Sequence, residues 1–72
     1  MSEIIGFVGQ AGVLHRLIRR SEEHRIQQVM LVRDLRMRGH NTAGATEMLR
    51  QIEHTLAALR SQQMHLRTME ER

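Results

Sequence analysis

The apolar residues fall into two long series separated by a short polar stretch. In the first, Leu14, Ile18, Ser21, Arg25, Gln28, Val32 and Leu35 step alternately four and three positions apart, the spacing of one seam of a coiled-coil helix. The ends of this seam are apolar and its middle, Ser21 to Gln28, is polar. A second stripe of Val13, Leu17, Ile26, Val29, Met30 and Leu31 lies beside it. It widens the apolar surface at both ends and shifts its face in the middle, as in a helix that touches more than one neighbour. In the second series Ala45, Leu49, Ile52, Leu56, Leu59, Gln63 and Leu66 repeat the same alternation, interrupted only by Gln63. Ala57 and Ala58 flank this seam, and Met48 and Met69 widen it. The spacing predicts helices over about 13–38 and 43–69.

Between them lies Gly39-His40-Asn41-Thr42. A glycine there can take the positive φ that ends a helix, and Thr42 or Asn41 can cap the next helix by accepting from an orphan N–H. His40 is expected to serve the C-terminal end of the first helix through its ring. The stretch reads as a tight turn, with 39–42 as turn and caps before anything else.

A reversal around residues 40–41 sets Leu35 against Ala45, Val32 against Leu49, Ile18 against Gln63 and Leu14 against Leu66. It also sets Ile52, Leu56 and Leu59 against Gln28, Arg25 and Ser21, a polar waist. Burying a leucine contributes roughly 1.5–3 kcal/mol, so leucines facing polar side chains call for further cover. A second copy is the simplest cover. The fold expected is therefore all-α: an antiparallel, coiled-coil-like two-helix hairpin, dimerising into a four-helix bundle. Leu17, Ile26, Val29, Met30, Ile52, Leu56 and Leu59 are expected at the dimer or partner interface.

Residues 1–12 depart from the pattern. Gly6, Gly9 and Gly12 recur every third residue in an apolar run, and each weakens a helix by about 1 kcal/mol relative to alanine. A flexible or loosely helical segment is expected there. A phosphate-binding glycine loop is not, because no strand can precede it. The acid in Met1-Ser2-Glu3 and the shortness of Ile4-Ile5-Gly6-Phe7-Val8 do not fit a signal peptide. No run approaches the ~20 apolar residues of a membrane span. The location expected is cytoplasmic.

Composition narrows the chemistry. Seventy-two residues make one small domain, and a chain this short needs staples, a metal, very regular packing or a partner. There is no cysteine, proline, tryptophan or tyrosine, so the core is aliphatic and methionine-rich. All 11 basic residues are arginine, the usage of a GC-rich genome, and the net charge is +3 with acids interleaved.

The run Gln28-x-x-Leu31-Val32-x-x-Leu35-x-x-x-Gly39-His40-Asn41-Thr42-x-x-Ala45-x-x-Met48-Leu49-x-x-x-Glu53-x-Thr55-Leu56 resembles a family of small uncharacterised alphaproteobacterial proteins, rhizobial relatives especially. Their pattern centres on Gly-His-Asp-Thr, followed by an alanine, a leucine pair and a Glu-x-x-Leu step. The resemblance spans roughly residues 21–66. Asn41 stands where the family usually has Asp, and Met48 replaces the first leucine of the pair. The resemblance implies a helical hairpin of bacterial origin and implies no activity.

Five histidines, His15, His24, His40, His54 and His65, raise the question of a metal. A zinc site needs three or four converging ligands, usually with an i, i+4 pair on a helix, and no histidine pair here has that spacing. Neither metal nor cofactor is expected. Catalysis is not expected either: Ser21 falls in the seam, Asp34 is solitary, and Glu22 and Glu23 do not converge with the adjacent His24. Arg16, Arg19 and Arg20 form a basic patch, and Arg33, Arg36 and Arg38 a second. They support the alternative of a small basic regulator binding a polyanion such as nucleic acid, through Arg16, Arg19 and Arg20. Against it, Arg19 with Glu23, Asp34 with Arg38 and Arg67 with Glu71 are spaced for self-neutralisation, and stacking aromatics are absent. A third reading, a membrane-surface segment, rests on apolar residues 4–14 preceding the first arginines. The function expected is a non-enzymatic structural or protein–protein interaction module.

Overall fold

The computed structural model describes the backbone of residues 2–70 and the side chains of residues 11–69. Two helices pack against each other as an antiparallel hairpin: α1, Ser2–Met37, and α2, Ala43–Glu70. Among the described residues there is no strand. The molecule is a rod of 57 × 16 × 14 Å. Its radius of gyration is 16.6 Å, against ~11 Å for a globular chain of this length.

The turn is built as a Schellman motif. Gly39 has φ +73°, among the described residues the only positive value. The Gly39 N–H donates to the Arg36 carbonyl at 3.1 Å, and the His40 N–H to the Leu35 carbonyl at 2.9 Å. These bonds satisfy carbonyls that the end of α1 would leave orphaned. His40 therefore serves the helix end through its backbone; no bond from its ring to those carbonyls is present. On the other side, Asn41 Oδ1 accepts from the Ala43 N–H at 2.9 Å. The Thr42 carbonyl accepts the first bond of α2, from Thr46 N–H at 2.8 Å. Thr42 occupies the N-cap place in the backbone, and Asn41 supplies the capping oxygen.

At its other end α1 begins at Ser2, about three turns before the expected start near Val13. Gly6, Gly9 and Gly12 lie inside the helix. Extending an existing helix adds one hydrogen bond per residue fixed, which offsets a modest glycine penalty where no proline interrupts. No side chain packs closely over Gly12: a Cβ there would meet nothing within 4 Å.

Among the described residues the buried ones are Leu14, Ile18, Val32 and Leu56. Leu14, Ile18 and Leu56 form one cluster, with Leu59 and Leu66 packed against it. Leu66, expected opposite Leu14, packs against the cluster that contains it.

The waist differs from its expectation. Leu56 is the most buried of the core residues, 2 % exposed within a single hairpin. The polar residues opposite it close over the seam. Arg25 Nε donates to Glu53 Oε2 at 3.2 Å, and Arg60 pairs with Glu22 at 3.6 Å, so two interhelical ion pairs straddle Leu56. The hydrocarbon stem of an arginine covers apolar surface while its head stays in water. Ser21 is half-buried and small. Gln28, the third waist residue, donates from Nε2 to the Ala45 carbonyl of α2 at 3.0 Å.

Candidate interaction surface

Residues expected at a partner interface separate into three groups. Leu56 is buried inside the single hairpin, beneath the ion pairs just described. Val29, Ile52 and Leu59 are half-buried along the seam. Leu17, Ile26 and Met30 are exposed, at 42 %, 57 % and 64 %. These three do not share a face. Ile26 lines a groove with Glu22, Arg25, Glu53, Leu56 and Arg60, on the flank carrying the ion pairs. Met30 lies four residues beyond it, turned further toward the back of α1. Leu17 is seven residues from His24, and so falls on the opposite flank.

That opposite flank was missed as a unit in the sequence. Its centre is a groove of ≈ 220 Å³ lined by Ser21, His24, Met48, Gln51, Ile52 and Thr55. None of these is an acid or an arginine. Leu17 and Leu31 stand seven residues either side of His24, and Met69 stands 14 beyond Thr55, each on the same stripe of its helix. Leu17, Leu31, Met48 and Met69 are all exposed large apolar side chains. The charged residues nearest this stripe on α1 are Arg20 and Asp34, and Asp34 is already paired with Arg38 at 3.3 Å. The two flanks of the rod are therefore unlike: one is bridged by ion pairs, and the other carries exposed apolar side chains around a groove with no acid or arginine. The one trace of it in the sequence is opposite charges at roughly matched heights, Glu22 with Arg60 and Arg25 with Glu53, and Arg25 stands in the seam itself, so the spacing alone does not assign these pairs to a flank.

The arginines of the expected polyanion patch, Arg16, Arg19 and Arg20, are exposed and form no ion pair among the described residues. The expected pairing of Arg19 with Glu23 is not formed, whereas Asp34 with Arg38 is. Arg67 with Glu71 lies outside the described residues. On α2, Arg50 donates to both Glu47 oxygens, at 3.0 and 2.7 Å. These bonds hold the Glu47 carboxyl below the usual carboxylate range and raise the Arg50 guanidinium in turn. All five histidines are exposed. Among the described residues, no helix is long and apolar enough to cross a membrane.

The fold and its two flanks define the class: an all-α, antiparallel two-helix hairpin with one flank bridged by charge and one left apolar. The chain matches no family model, no curated protein and no solved structure.

Proposed function

We propose that this chain is a non-enzymatic structural or interaction module that works as a homodimer, two hairpins forming a four-helix bundle. The observation that carries this reading is the ratio of covered to uncovered apolar side chains. Among the described residues four hydrophobic side chains are buried, while Val13, Leu17, Ile26, Met30, Leu31, Met37, Met48, Met64 and Met69 are exposed. The accessible surface is 6189 Å². A compact monomer of 8.4 kDa shows ~4,600 Å². The excess of ~1,600 Å² is ample for the ~800 Å² per partner that a stable interface takes. Sedimentation equilibrium on the full chain tests this: a mass of two chains is expected at micromolar concentration, and a single-chain mass there overturns it.

A second reading rests on a separate observation. Arg16, Arg19 and Arg20 have no acidic partner among the described residues, which favours a polyanion contact near the open end of α1. In that case affinity for a DNA or RNA oligonucleotide falls steeply with added salt and is lost on replacing all three by alanine. Unchanged affinity in the triple variant removes this reading.

A further inference from the structure

We propose that the second copy docks on the neutral flank, across Leu17, His24, Leu31, Met48, Thr55 and Met69, and not on the ion-paired flank or the back of α1. The proposal rests on the homodimer reading above and specifies its surface.

Three observations select both flank and occupant. The first is charge. Covering the ion-paired flank would remove Arg25, Glu53, Glu22 and Arg60 from water, and desolvating such pairs is rarely recovered by their mutual attraction. The groove at the centre of the other flank is lined by no acid and no arginine. The second is complementarity. A neutral apolar face gives a charged partner nothing to pair with, but it matches itself, as a twofold interface requires. Its polar members, Ser21, His24, Gln51 and Thr55, carry donors and acceptors that can bond across such an interface. The third is shape. The stripe from Leu17 to Leu31 runs 14 residues along α1, a span of ~21 Å at 1.5 Å per residue. A straight, narrow face of that length needs a mate equally straight and long, and this 57 × 16 Å rod is one.

Single charge insertions at exposed positions separate this proposal from its parent. Leu17→Glu and Leu31→Glu place an acid on the neutral flank, Ile26→Glu on the bridged flank, and Met30→Glu on the back. All four sites are at least 42 % exposed in the hairpin, so helicity by circular dichroism is expected to persist. Sedimentation of each variant gives the result. The expected outcome is loss of dimer, at least tenfold in dissociation constant, for Leu17→Glu and Leu31→Glu, with less than a twofold change for Ile26→Glu and Met30→Glu. The reverse ranking, or four variants that remain dimeric, overturns the choice of flank while leaving the dimer standing. A wild-type chain that is monomeric overturns the dimer itself. Should Leu31→Glu lose helicity, Leu31→Gln, which adds polarity without charge, is measured in its place and is expected to weaken the dimer severalfold; an unchanged constant counts against the flank.

Discussion

Three of the glycines show how differently one residue type acts according to its backbone. Gly39 is needed: at φ +73° a side chain is strained, whatever the space around it. Gly12 and Gly44 are not: both sit in helix, and a Cβ at either would have nothing within 4 Å, so alanine there meets no neighbour. Gly39→Ala is therefore expected to destabilise the hairpin by about 1–2 kcal/mol. Gly12→Ala and Gly44→Ala are each expected to stabilise it by about 0.5–1 kcal/mol. Urea unfolding followed at 222 nm places the four proteins in order, and a Gly39 variant as stable as the parent would show that the turn has another solution. Asn41→Ala, which removes the oxygen accepting from Ala43 N–H, is expected to cost about 1 kcal/mol by the same measurement.

At the scale of the elements, the waist of α1 carries the lesson. Arg25 and Ser21 in an apolar seam read as a breach, because the heptad register records which residues oppose Leu56 but not how their side chains bend. Glu22 and Arg25 on α1, with Glu53 and Arg60 on α2, turn the breach into a cover. Most of the stabilisation belongs to the leucine. Leu56→Ala is expected to cost about 2–5 kcal/mol, enough to unfold so thin a core. A double-mutant cycle on Arg25 and Glu53 is expected to give a coupling below about 1 kcal/mol, since both side chains remain half in water. A coupling larger than the leucine loss would reverse that assignment.

For the whole molecule, the hairpin and its turn were legible, and the exposed faces were legible only in part. Gly39, the two alternating series and their common reversal point are enough for the fold, because each is a local rule of helix geometry. Over residues 1–12 the sequence left a flexible and a loosely helical segment both open, since Gly6, Gly9 and Gly12 weigh against helix individually while a helix propagates as a unit. The difference between flanks was not legible, because it depends on pairings between residues 28 or more positions apart, such as Arg25 with Glu53. Under the dimer proposal, a rod with this much uncovered surface gains stability from a second copy by mass action. Its melting temperature should rise by several degrees between 5 and 200 μM (roughly the range over which dimers of small domains respond), and a constant midpoint would count against association.

The position of the turn relative to the main apolar cluster has a kinetic consequence. Gly39 and its capping bonds lie at one end of the rod, while Leu14, Ile18, Leu56, Leu59 and Leu66 run from its middle toward the open end of the hairpin. Chain closure is least unfavourable near the turn and grows with loop length, so contacts zip outward from the bend and the leucines engage last. The turn is then the hinge and the leucine cluster the clasp: changes at Asn41 slow closing, whereas changes at Leu14 speed opening. The lifetime of the folded rod is set at the end where no covalent link holds the two helices together.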